Sequence, residues 1–247
     1  MIKLTRGNKP EFLSDLKKAE LTEAFKRDGL SVWNHPEIKS ALLISSNGKC
    51  AFCECSITAE SKYLEVEHFE IKSKYPDRVV DWENLLPACK RCNVAKGIHD
   101  TRLESLVDPY AVDPRDHLCF RSYRLRGRTN TGKTTIDVLD LNNSARLVTQ
   151  RFEIGEQAIG SIAIAKERFE SYLESRTAVR RNKLLGIVET ILTECQPTAI
   201  YSAGAAATVF NDPDFIELVD AMKAEGVWFG HLQDLYEKGN LLALELV

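Results

Sequence analysis

Apolar positions along the chain change period three times. Residues 11–28 carry them at helical spacing, with Pro10 near the start and Gly29 just past the end, which predicts a first helix. His35-Pro36 opens a second helix over IKSALLIS, which Asn47-Gly48 stops. Residues 50–100 are short and irregular, with strand-like LEVEH at 64–68 and a helix from about Lys90. Over 118–140 the pattern becomes alternating. LCFRSYRLR, a turn at Thr129–Gly132, and TTIDVLDL predict a β-hairpin. From Ser144 the spacing is helical again: RLVTQRFEIGEQAIGSIAIAKERFESYL, then segments near 180–195, 198–210, 213–225 and 228–238. Asp212 with Pro213 is a good helix start. A boundary is expected at 142–146.

Composition adds limits. With 247 residues, 44% hydrophobic and 28% charged, the chain can bury one large core or two small ones. MIKLTRGNKP lacks a secretory apolar run, and no stretch suits a bilayer span, so a soluble cytoplasmic protein without membrane attachment is expected. The net charge of −3 hides an asymmetry. Between 115 and 133, Arg115, Arg121, Arg124, Arg126, Arg128 and Lys133 face Asp116 alone, whereas 211–247 is acidic. A basic middle suits phosphate, and an acidic end suits a partner or solvent.

Chemistry concentrates between 50 and 97. Cys50-Ala-Phe-Cys53 and Cys89-Lys-Arg-Cys92 are two CxxC knuckles, the donor set of a tetrahedral structural zinc. Cys55 competes with Cys53; Cys53 is the favoured ligand and Cys55 a neighbour. Cys119 and Cys195 are expected as small buried hydrophobes. The long interval between knuckles must hold folded structure, and it contains Glu67-His68 and Asn84. A helix from Lys90 would place Asn93 in its first turn, facing the hairpin.

CAFCE, VEHF and WENLLPACKRCNVAKG, with their spacing, resemble the HNH (ββα-metal) endonuclease family with an added four-cysteine zinc site. IKLTRGNKPEFL, the IKSAL helix and VDPYAVDPRDHLCF extend the resemblance to the HNH component of Septu-type and retron-associated anti-phage systems. The fold implied is α+β. It has N-terminal helices (1–48), a zinc-stapled ββα-metal core with the following β-hairpin (49–143), and a helical C-terminal region (144–247). The resemblance implies His68 as general base, Glu67 and Asn93 as holders of catalytic Mg²⁺ or Mn²⁺, and Asn84 as the brace of His68 or its loop. Lys96 is read either as a phosphate contact or as part of a solvated helix face. FEIKSKYP carries Ile71 where the subgroup implies Pro. The implied partners are nucleic acid, a partner ATPase on a separate chain, and in retron-type systems a reverse transcriptase with its RNA/DNA product. The alternative is a zinc-stabilised nucleic-acid-binding module without catalysis.

GRTNTGKT at 127–134 has the letters of a phosphate-binding P-loop. Its flanks predict an amphipathic strand before it and a β-branched strand after it, so it reads as a turn. The arginines Arg121, Arg124, Arg126 and Arg128 either contact nucleic-acid backbone or form a solvated face. The small residues of TAIYSAGAAATVF suit close helix packing, and HLQDLYEKGNLLALELV is a docking surface or an ordinary core helix.

Overall fold

A computed structural model of the chain describes residues 1–59 and 63–247. The chain divides into two compact units. The first takes Met1–His117 and Gly127–Leu141, and the second takes Leu118–Arg126 and Asn142–Val247. Among the described residues no helix is long and apolar enough to cross a membrane.

In the first unit, α1 (Asp15–Asp28) starts where the Ser14 side chain accepts from the Lys17 N–H. It ends at Gly29, whose φ of 67° only glycine adopts without strain. α2 (Pro36–Ser45) buries Ile38 and Leu42 and packs on a two-stranded antiparallel sheet. That sheet pairs β1 (Leu64–His68) with β2 (Leu85–Cys89), in a register running from Leu64 opposite Cys89 to His68 opposite Leu85. α3 (Lys90–Lys96) follows β2 without a linker, completing a ββα unit. Leu85, Leu86 and Ala88 are fully buried, as is Phe52 of the first knuckle. The Ala51 N–H donates to the Pro87 carbonyl at 2.8 Å, tying that knuckle to β2.

Residues 118–141 differ from expectation. The hairpin is shorter: β3 (Leu118–Arg121) and β4 (Arg124–Gly127) join through Ser122 and Tyr123, at φ 47° and 62°. Two successive positive φ values match the twist of a tight hairpin. The expected second strand is instead α4 (Asn130–Val138), capped by the Thr129 side chain accepting from the Gly132 N–H. TTIDVLDL is β-branched, yet Gly132, Thr135, Ile136 and Leu139 are all buried, which is a helical spacing. Burial of that face overrides strand propensity. The Thr135 hydroxyl is satisfied both ways: it donates to the Thr131 carbonyl at 2.7 Å and accepts from the Val107 N–H at 2.8 Å.

A helix therefore begins within GRTNTGKT, at Asn130, but the segment is closed to phosphate. A side-chain carbon on Gly132 would lie 2.0 Å from the His117 carbonyl oxygen. One on Gly127 would lie 2.5 Å from the Lys133 nitrogen. The glycines admit neighbouring backbone, and the Gly132 and Lys133 N–H groups are taken by Thr129. A P-loop keeps such groups free for its ligand.

The second unit is a bundle of α5 (Thr149–Glu174), α6 (Ala178–Glu194), α7 (Ser202–Phe210), α8 (Pro213–Ala224) and α9 (Gly230–Asn240). Its core includes Ile162, Leu184, Val188, Leu192, Cys195, Val209, Phe215 and Met222. In α7 Ala203, Gly204, Ala205, Ala206 and Ala207 are all buried, so the helix fits tightly among its neighbours. The β3–β4 turn docks on α5. Tyr123 sets its ring edge-on to Phe152 at 5.3 Å and donates to Glu156 at 2.5 Å.

Candidate active site

The sulfurs of Cys50, Cys53, Cys89 and Cys92 lie within 4.8 Å of one another. Cys53 and Cys89 are 3.7 Å apart. A tetrahedron with Zn–S bonds of about 2.3 Å places its sulfurs about 3.8 Å apart, so this donor set fits zinc. Cys55 stands outside the set; its carbonyl accepts from the Cys50 N–H. Arg91 donates to the Cys92 sulfur at 3.1 Å and to the Leu139 and Asp140 carbonyls at 3.0 Å. Its charge offsets the thiolates that zinc requires. Cys119 and Cys195 are buried in the second unit.

The staple sits at the Leu64–Cys89 end of the hairpin. His68 is four residues further along β1, about 13 Å at the usual strand rise. A zinc ion in this donor set would hold the frame at one end and leave the far end for other chemistry. Alternation along β1 sends Glu65 and Glu67 to the α3 side and His68 to the opposite side. Glu67 pairs with the Lys96 ammonium at 2.8 Å, which also donates to the His68 carbonyl at 2.7 Å. The Lys96 side chain is 0% exposed and that of Glu67 8%. Burial pushes the Glu67 carboxyl above its usual range, and Lys96 pulls it partly back. The Asn93 amide donates to Glu65 at 3.3 Å.

His68 is 3% exposed. Its Nε2 lies 2.8 Å from the Val79 carbonyl, which can only accept, so Nε2 carries the proton and Nδ1 keeps its lone pair when the ring is neutral. Burial pushes the pKa down to about 4, against the pull of the Val79 bond. The ring is therefore neutral at physiological pH. Trp33 packs edge-on against it, with centroids 4.8 Å apart and planes at 89°.

Asn84 is 1% exposed and closes the loop between β1 and β2. Its amide donates to the Glu70 and Arg78 carbonyls, and its oxygen accepts from the Glu70 N–H at 2.7 Å. The Arg78 carbonyl immediately precedes Val79, whose own carbonyl holds His68. Asn84 thus ties down the loop that presents the Val79 carbonyl to His68. Ile71, at the position expected to be Pro, is 6% exposed, and its carbonyl accepts from the Lys74 and Tyr75 N–H groups.

The geometry thus gathers Glu67, Lys96, Glu65 and Asn93 on the α3 side of β1, while the His68 ring lies on the opposite side and is tied to Lys96 only through its backbone carbonyl. Lys96 is neither on a solvated helix face nor open to phosphate, because its ammonium is consumed internally. Arg121, Arg124, Arg126 and Arg128 are exposed, with Leu125 buried between two of them. Trp33, Lys72 and the Val79 carbonyl belong to the surroundings of His68, and no spacing in the sequence marks them.

Residues 50–98 match the HNH endonuclease family, a span holding all four cysteines, Glu67, His68, Asn84, Asn93 and Lys96. The chain is 43% identical over 230 residues to Septu protein PtuB of Bacillus thuringiensis, covering 92% of this chain and 89% of that protein. The chain belongs to the Septu PtuB family. A second Septu protein PtuB, from Bacillus mycoides (strain KBAB4), is 28% identical over 164 residues, covering 49% of this chain and 55% of the relative. Trp33 lies outside the HNH match.

Proposed function

We propose that this PtuB relative is a divalent-cation-dependent endonuclease that hydrolyses phosphodiester bonds in DNA or RNA. It acts as the effector of an anti-phage defence system. The observation that carries the reading is His68: neutral, oriented through Nε2, and with the Nδ1 lone pair not protonated. A base must be unprotonated and aimed before it can take a proton from water. His68 does this through Nδ1, while the Val79 carbonyl keeps the ring from turning.

On the α3 side of β1, opposite His68, Glu67 and the Asn93 amide oxygen are hard donors, with Glu65 beside them, and such a set fits Mg²⁺ or Mn²⁺. When bound, that ion supplies contact to the scissile phosphate and stabilises charge on the leaving oxygen. Lys96 opposes the upward push of burial on the Glu67 carboxyl and fixes it in place. The exposed hairpin arginines supply backbone contacts that carry no sequence preference. Control by a separate-chain ATPase, and in retron-type systems by a reverse transcriptase with its RNA/DNA product, completes the proposal. Incubating the full chain, with the proteins that co-purify with it, on DNA and RNA with and without Mg²⁺ tests it. Magnesium-dependent products are expected, and their absence on every substrate overturns the reading.

A further inference from the structure

The cations around the β1–β2 loop are nearly all neutralised. Lys74 pairs with Asp100 at 3.1 Å, Arg78 with Glu70 at 2.8 Å and Asp81 at 2.9 Å, and Arg102 with Glu70 at 2.6 Å. Lys96 pairs with Glu67. Lys72 is the exception. It is half-buried, and among the described residues no carboxylate stands within salt-bridge distance of it. It sits on the face of Trp33, with the ammonium 4.9 Å from the ring centroid. That ring is the one edge-on to His68 and is itself braced by Phe25 at 5.8 Å. Trp33 is thus a shelf with the base on its edge and an ammonium on its face. The Lys72 charge is felt at both His68 and Glu67.

A π face orients an ammonium without cancelling its charge. A half-buried cation left unneutralised beside a base and a carboxylate has one fitting complement, an anion that arrives with the substrate. Resting on the nuclease reading, we infer that Lys72, seated on Trp33, binds a non-bridging oxygen of the phosphate being cut or its immediate neighbour. This contact is the one first expected of Lys96, which the fold uses internally. Two lysines of one region thus take different roles, Lys96 holding the carboxylate and Lys72 holding the strand.

The test uses the full chain with the proteins that co-purify with it, as wild type, Lys72→Met and Lys72→Arg. Binding of a short fluorescein-labelled DNA duplex and of a labelled single-stranded RNA is measured by anisotropy in magnesium-free buffer, between about 50 and 200 mM salt. Cleavage with Mg²⁺ and the melting midpoint are measured in parallel. Lys72→Met should lower kcat/KM by about 10²–10³-fold, the loss typical of one charge-stabilising donor. It should reduce the slope of log affinity against log salt by about 1 on the cleaved nucleic acid, with zinc and melting midpoint unchanged. Lys72→Arg should retain the slope and most of the rate. An unchanged slope with unchanged kcat/KM in Lys72→Met overturns the inference. So does a rate loss that tracks a fall in melting midpoint in both variants, and so does a wild type that binds neither probe. If the wild type binds but cleaves nothing, the nuclease reading fails, while the salt slope still decides the role of Lys72.

Discussion

The Lys96–Glu67 pair gives the sharpest quantitative expectation. The side chains are 0% and 8% exposed and the atoms are 2.8 Å apart. Lys96→Met removes the ammonium but keeps most of its volume. It leaves a buried carboxylate without a counter-charge and takes a donor from the His68 carbonyl. Breaking a buried pair from one side costs about 3–5 kcal/mol, because the remaining ion is stranded. For a chain of this length about 1 kcal/mol moves the melting midpoint by roughly 2–4 °C, so the variant should melt about 6–20 °C lower. Glu67→Gln combined with Lys96→Met removes both charges and should regain a large part of the loss, since a neutral, well-packed replacement of a buried pair costs little. Circular dichroism melts in magnesium-free buffer read both effects. Adding Mn²⁺ should then raise the midpoint of Lys96→Met more than that of wild type, because a cation again neutralises Glu67. A Lys96→Met midpoint within about 2 °C of wild type would refute the reasoning. A double variant no more stable than the single one would do so as well.

Two further expectations concern the frame and its acid sensitivity. Cys89→Ser should release zinc, measured by a chromogenic chelator, and lose cooperative unfolding of the first unit, because zinc binding and folding are coupled; a cooperative, metal-free variant would argue against the staple. Acid should destabilise the chain through His68, Glu70 and Asp81. The His68 pKa of about 4 lies below the ordinary 6.5, so the unfolded chain takes up that proton first and stability falls as pH drops between those values. At pH 4.5 the histidine accounts for about 2–3 kcal/mol. The Arg102 hydrogen bond holds Glu70 low; burial pushes Asp81 up, but Arg78 and Lys18 outweigh it. The stability from these depressed carboxyls is present above their unfolded range and is lost as pH falls through the folded values. Urea unfolding from pH 7 to 4.5 should show the decline, and His68→Gln should flatten its upper part. A flat wild-type profile would contradict the burial argument.

The zinc knuckles and the ββα order were legible because metal ligation demands fixed residue types at fixed spacing. LEVEH was legible as a strand-like stretch, and the helix from about Lys90 starts where the Cys89 side chain accepts from the Cys92 N–H, a cap that only the structure shows. Asp212-Pro213 marked the start of α8 through cap chemistry that is local. The hairpin was misjudged where two local preferences competed. Thr129–Gly132 has good turn letters, but Thr129 caps a helix, and the turn falls at Ser122-Tyr123, which no glycine marks. TTIDVLDL fits both period 2 and period 3.6, and only burial of Thr135, Ile136 and Leu139 decides between them. Around His68 the reason is distance along the chain. Trp33 reaches it from 35 positions away, and Val79 presents a backbone carbonyl that any residue could offer. The internal use of Lys96 became visible only with β1 and α3 in register.

The most direct measurement is Mg²⁺-dependent strand cleavage by the wild-type chain and by His68→Ala, each with its co-purifying proteins and each checked for bound zinc. The variant should keep zinc, keep its nucleic-acid affinity, and lose cleavage by at least about 10²-fold, the contribution of a positioned base. A zinc-loaded His68→Ala that cuts at the wild-type rate would contradict that role.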